Sequence, residues 1–136
     1  HYITAIKIFK DNVFFGVGPK AYRFECKKEE YNIPYACSTH PHNTYIQLLS
    51  ETGIFTFIIV FSIFIYCFYK ILKIKFNTKQ NDLDDVKFFL YIALFISLWP
   101  LSPTGSFFNN WLNIIYYLPI AFILHLDEKN KNFTYL

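Results

Sequence analysis

Residues 54–69 of this chain contain no charge and no proline, and Lys70 closes the run, with Lys73 and Lys75 soon after. Extended to Leu72, an α-helix through this run is roughly 28 Å long at about 1.5 Å per residue, close to the hydrocarbon thickness of a bilayer. A run of this kind must be covered either by lipid or by a sizeable protein core. The chain has 136 residues, of which 54% are hydrophobic and 22% aromatic, and its apolar residues come in blocks rather than at amphipathic spacing. Blocks favour lipid over a soluble core.

The expected fold class is therefore all-α, a polytopic membrane helical bundle with about three transmembrane helices. Residues 1–53 read as an extracytoplasmic loop with an amphipathic helix and a histidine motif. Residues 54–72, 88–101 and 111–126 read as spans, 73–87 as a cytoplasmic loop, 102–110 as a hairpin on the histidine side, and 127–136 as a frayed cytoplasmic tail. Lys70, Lys73, Lys75, Lys79 and Lys87 place the 73–87 loop inside by the positive-inside rule. The sequence opens without Met and without the charged, apolar and small-residue regions of a signal peptide. The expectation is the C-terminal part of a larger membrane protein. The net charge of +3 is modest, and no basic-aromatic motif marks nucleic acid as a partner.

In chain order, Tyr2, Ile6, Phe9 and Val13 follow a spacing that puts them on one face of a short helix ending by Gly16. Gly16-Val17-Gly18-Pro19 then forms a turn, or less specifically a phosphate cradle. Arg23 is the only arginine in the chain. It reads either as a surface residue paired with Glu25 or Glu29, or as a planar cationic fork for an oxyanion such as a diphosphate.

Cys26 and Cys37 flank a polar, turn-rich segment. On the oxidising side of a membrane they could form a disulfide worth about 3 kcal/mol in the chain-entropy model. Cys37 with His40 and His42 also admits a zinc site, and both histidines admit a purely structural role. Asn43 suits the N-cap of a helix starting at Thr44. On that helix Ile46, Leu49 and Gly53 share a face, Gly53 permitting a kink or close packing. Cys67 reads as a small residue facing lipid or another helix. Trp99 and Trp111 read as interfacial anchors, and His125 as an interfacial residue.

The chain resembles the O-antigen ligase and O-antigen polymerase (Wzy-type) family of membrane proteins. The resemblance is carried by Gly16-Val17-Gly18-Pro19, by His42-Asn43-Thr44-Tyr45-Ile46-Gln47-Leu48-Leu49-Ser50-Glu51-Thr52-Gly53, and by the loop at residues 100–110. It implies a metal-independent, inverting glycosyltransferase of the bacterial inner membrane, needing no cofactor, with its active loop on the periplasmic side. The implied partners are an undecaprenyl-diphosphate-linked glycan donor, a lipid A core or glycan acceptor, and membrane lipid. The implied general base is the loop histidine, matched by His42. Arg23 would hold the diphosphate, and His40, Asn43 and Lys20 are expected to contact substrate.

The chemistry suits those residue types. A sugar hydroxyl is a poor nucleophile, and a neutral imidazole can take its proton as the bond forms. A fixed cation stabilises charge developing on the departing diphosphate. A polymerase of the same family is the nearest alternative, and a membrane transporter the alternative from another class. A transporter should carry functional polar residues at mid-bilayer, where this sequence has only Asn113 and a few hydroxyls.

Overall fold

The computed structural model describes residues 1–77 and 82–133, the last five of these by backbone alone. Among the described residues the chain is all-helical, without a strand. The helices are α1 (Tyr2–Asp11), α2 (Tyr22–Glu25), α3 (Thr44–Lys75), α4 (Asp82–Ser97) and α5 (Asn110–Phe133). They divide between two compact units, His1–Ser62 with Pro100–Leu112, and Ile63–Trp99 with Asn113–Leu136.

The first unit is built on a small core of Ala5, Ile8, Tyr22, Cys26 and Tyr31, edged by Val17, Cys37 and Ile46. The expected amphipathic helix α1 is present, but its buried face is Thr4, Ala5 and Ile8, whereas Tyr2 and Val13 are exposed. The face differs because Tyr22 and Tyr31 share this core with Ala5 and Ile8 of α1. Each ring also finds a polar partner. Tyr22 Oη donates to the Ala36 carbonyl at 2.9 Å and to the His1 carbonyl at 3.2 Å, and Tyr31 Oη donates to Asp11 Oδ2 at 2.9 Å. Burial pushes the Tyr22 hydroxyl up to about 12, so it remains a donor. Cys26 and Cys37 are joined by a disulfide, with Cα atoms 5.3 Å apart.

Asn43 caps α3 as its sequence position suggests. Its Oδ1 accepts the N–H groups of Tyr45 at 3.0 Å and Ile46 at 3.1 Å. Ten residues later α3 breaks. Gly53 takes φ 76° and ψ −173°, outside helical geometry, which frees carbonyls on one side and an N–H on the other. The α1–α2 connection supplies partners for these groups. Val17 N–H donates to Ser50 O at 3.1 Å, Gly18 N–H to Glu51 O at 2.8 Å, and Ile54 N–H to Val13 O at 2.9 Å. Such a complete exchange is what buried backbone groups require.

The second unit packs Cys67, Tyr91, Leu94 and Ile123 together, and Cys67 is a buried free thiol. Two sequence expectations change here. Lys87 was assigned to a cytoplasmic loop, but α4 begins at Asp82, and Lys87 is a buried helical residue whose ammonium meets Asp127 at 2.6 Å. The acidic first turn of α4, with Asp82, Asp84 and Asp85, favours that earlier start. The tail expected to fray from residue 127 is helical as far as Phe133, since no glycine or proline follows Pro119 to stop it and Lys87 holds Asp127. Residues 78–81 of the expected loop and 134–136 of the expected tail lie outside the described residues.

Among the described residues α3 is the one helix both long and apolar enough to cross a membrane, and only 17% of its most apolar stretch is buried within the protein. The exposed remainder calls for lipid. Helix α4 has 16 residues, short of the roughly 20 that a perpendicular span needs, and α5 carries Pro119 inside it.

Candidate functional site

The site is assembled around the polar face of the first part of α3. Thr44, Gln47, Ser50 and Glu51 recur at helical spacing and are all buried. An ionisable side chain without exposure needs dedicated partners, and Glu51 has three. Its Oε1 accepts the Tyr22 N–H at 3.0 Å, while its Oε2 accepts the Lys20 N–H at 3.1 Å and Gln47 Nε2–H at 2.8 Å. The carboxylate thereby holds the entry to α2, the short helix that carries Arg23.

Gln47 extends the same network to the segment at residues 100–112. Its Nε2 donates to Ser106 Oγ at 3.0 Å, and its Oε1 accepts the Phe107 N–H at 2.9 Å. The segment is further tied by Asn43 Nδ2 donating to Pro100 O at 2.7 Å, by a hydroxyl pair Thr44–Thr104 at 3.0 Å, and by Thr104 N–H donating to His42 O at 3.0 Å. Two pieces of chain far apart in sequence are thus fixed to the opening turn of α3 and the one after it.

The histidines sit at the top of the opening turn and are held differently. His40 is engaged at both ring nitrogens, with Thr39 Oγ1 at 3.0 Å from Nδ1 and Thr104 O at 3.3 Å from Nε2. Burial lowers its pKa below the ordinary imidazole value, and the neighbouring His42 and Arg23 add to the shift against the pull of the Thr104 carbonyl. His42 is held by its backbone, in a left-handed conformation with φ 61°. Its exposed imidazole makes no hydrogen bond among the described residues, and lies 4.2 Å from the His40 ring and 5.2 Å from the His1 ring. Of the two motif histidines, His42 is the one with free nitrogens.

Arg23 forms no ion pair among the described residues. The expected partner Glu25 instead binds Lys28 at 2.6 Å, three residues along on the same turn. Arg23 Nε is buried without a hydrogen-bond partner, an uncommon state for a cation. Its side chain lines two cavities. One, of about 250 Å³, is bounded by Lys20, Arg23, Ser106, Asn109, Asn110 and Trp111. The other, of about 400 Å³, is bounded by Arg23, Phe24, Lys27, Cys37, Ser38 and Thr39.

Several sequence readings are refined by this arrangement. His40, His42, Arg23 and Lys20 fall in one unit, and the charge of Arg23 is felt at His40. Asn43 was expected to contact substrate; its Oδ1 serves the cap and its Nδ2 donates to Pro100 O. The zinc reading fails because Cys37 is in the disulfide, and no cluster of three metal-ligating side chains forms among the described residues. Trp111, read as an interfacial anchor, lines the polar cavity with Arg23. Gln47, Glu51 and Ser106 were missed as organising residues. For Gln47 and Glu51 the signal was present in Thr44, Gln47, Ser50 and Glu51, a polar stripe at three- and four-residue spacing ahead of the apolar run, whereas Ser106 lies outside it.

No curated protein and no solved structure matches the chain. Residues 1–61, which contain both the glycine turn and the whole 42–53 motif, match the family model described as O-antigen ligase.

Proposed function

We propose that the chain is the histidine-bearing part of a membrane glycosyltransferase that moves a glycan from an undecaprenyl-diphosphate carrier to an acceptor hydroxyl, with His42 as general base. The acceptor is a lipid A core in a ligase and a growing glycan in a polymerase. The single observation that carries this reading is the pairing, within one unit, of an unbonded exposed imidazole at His42 with an unpaired cation at Arg23.

In the reaction the acceptor oxygen attacks the anomeric carbon while the carbon–oxygen bond to the diphosphate breaks, its electron pair leaving on the carrier. His42 takes the hydroxyl proton, and Arg23 offsets the charge that develops on the diphosphate. A single displacement inverts the anomeric centre and needs no metal ion. His40 supports His42 by position, since both of its nitrogens are occupied.

A bilayer location follows from the same reading. Phe15 is 81% exposed, and its ring and that of Phe14 each lie 6.2 Å from Phe55, near the start of the apolar run. These aromatics suit the lipid interface beside the site. The disulfide suits the periplasmic side of the inner membrane, and we assign α4 and α5 to further spans completed by tilt and by neighbouring helices.

The test is glycan transfer in cells lacking the native enzyme, comparing full-length protein with His42→Ala and His40→Ala at matched membrane abundance. His42→Ala should reduce transfer by about 10²–10⁴-fold, the range for loss of a general base, with a smaller loss for His40→Ala. Undiminished transfer with His42→Ala overturns the assignment.

A further inference from the structure

The cavity bounded by Lys20, Arg23, Ser106, Asn109, Asn110 and Trp111 gathers two cations, two amides, a hydroxyl and an indole, and folding uses only the Ser106 oxygen and Asn109 Oδ1 among these side-chain groups. Trp111 is 80% exposed, so its indole is not there to fill a core. An exposed indole beside planar amides and a hydroxyl is the chemistry that grips a sugar ring. The apolar C–H face of a pyranose lies on the aromatic plane, and its equatorial hydroxyls reach the amides. Two cations among the lining residues add a demand that a neutral sugar does not meet.

The polar groups also keep unused donor capacity. Gln47 donates to Ser106 Oγ, which leaves the Ser106 hydroxyl hydrogen free to donate into the cavity. Asn109 Oδ1 accepts the backbone N–H of Trp111 at 3.0 Å, which orients the amide and leaves its NH₂ without a partner among the described residues. Asn110 opens α5, a 24-residue helix whose N-terminus favours negative charge. Arg23 lines the same space, and its buried Nε has no hydrogen-bond partner. At about 250 Å³ the space falls just below the roughly 300–1,000 Å³ of sites for drug-sized ligands, and suits one sugar ring rather than an oligosaccharide.

We infer that this cavity is a subsite for a single pyranose bearing an anionic group, with Trp111 stacking on the ring, Ser106, Asn109 and Asn110 bonding its hydroxyls, and Arg23 and Lys20 holding the anion. Lys20 and Arg23 come from the 1–61 segment that matches the family model, and Ser106, Asn109, Asn110 and Trp111 from the later loop. The inference deepens the proposed transfer reaction and rests on it for the source of the sugar. The negative charge comes either from a carboxylate on the ring or from a phosphate at its anomeric position.

The experiment is saturation-transfer NMR and titration on the full-length protein in micelles, with methyl glucuronide, glucose 1-phosphate, methyl glucoside and inorganic phosphate as probes. The anionic sugars should bind at least tenfold more tightly than either methyl glucoside or inorganic phosphate, and whichever of the two binds better identifies the source of the charge. Trp111→Ala and Arg23→Gln should each weaken anionic-sugar binding by about tenfold, the scale of one lost stacking or charge-assisted contact. Trp111→Phe, which keeps a stacking ring, should restore most of it and shows that the fold is intact. Equal binding of inorganic phosphate and of the anionic sugars, or indifference to Trp111→Ala, overturns the subsite. His42→Ala should leave probe binding unchanged while reducing transfer, so failure of the base assignment and failure of the subsite are read separately.

Discussion

The carboxylate of Glu51 accepts the backbone N–H of Tyr22 at 3.0 Å, although the two residues stand on different helices and both are fully buried. Through this bond, and its companion to the Lys20 N–H, an acid on α3 decides where α2 begins and so where Arg23 points. Glu51→Gln keeps the shape and one acceptor but turns the other oxygen into an N–H₂ that confronts a backbone donor. The expected cost is about 1–3 kcal/mol for the unsatisfied buried groups, read as a lowered melting temperature in micelles, together with a loss of transfer. A variant as stable and as active as the wild type removes Glu51 from its organising role.

Gly16 and Gly53 make the second tie between the same two pieces of chain. Both have positive φ, 62° and 76°. A Cβ on Gly16 would overlap the Glu51 carbonyl group, and one on Gly53 would overlap the Phe14 carbonyl group. Gly16→Ala and Gly53→Ala should each cost more than the roughly 1–2 kcal/mol of a left-handed L-residue alone, because backbone cannot move aside as a side chain can. Gly18 also has positive φ, but its nearest neighbour is the Ala21 side chain at 3.9 Å, so Gly18→Ala should carry the conformational cost alone. Thermal unfolding of the three variants ranks them, and a Gly18 variant as damaged as the other two contradicts the close-approach argument.

Much of this was legible because it rests on short-range chemistry. The Asn43 cap, the pairing of Cys26 with Cys37 and the break at Gly53 each follow from residue types within about a dozen positions. The buried face of α1 was not legible, since the tyrosines that decide it come from positions 22 and 31. The partner of Lys87 was hidden for the same reason, Asp127 being on another helix. Trp111 looked like a membrane anchor until the fold brought it beside Arg23. Periodicity identifies that a face exists, and only the packing says which face is covered.

Reduction of the Cys26–Cys37 disulfide tests how firmly the loop is held. The bridge spans a separation of 11 residues, and a closed loop of that size contributes about 3 kcal/mol by constraining the unfolded chain. Cys26 is fully buried in the core with Tyr22, so Cys37→Ser should also loosen α2. The expected result is a lower melting temperature in the variant and no further change on adding reductant, whereas the wild type should fall to the variant's value once reduced. A wild type insensitive to reductant in the unfolding scan refutes the contribution.

His40 gives the unit a pH dependence of definite sign. Burial places its folded pKa below the ordinary imidazole value, with His42 and Arg23 acting in the same direction and the Thr104 carbonyl opposing them. In the window between the unfolded value near 6.5 and the lower folded value, the unfolded chain binds more protons. The stability attached to a neutral His40 is therefore complete above about pH 6.5 and is lost as pH falls through that window. His40→Gln retains a side-chain donor for the Thr104 carbonyl but has no titration. Melting temperatures between pH 7.5 and pH 5 should fall less steeply in this variant than in the wild type below about pH 6.5. Parallel curves would assign the acid sensitivity to other groups and leave His40 a neutral strut between Thr39 and Thr104 at every pH.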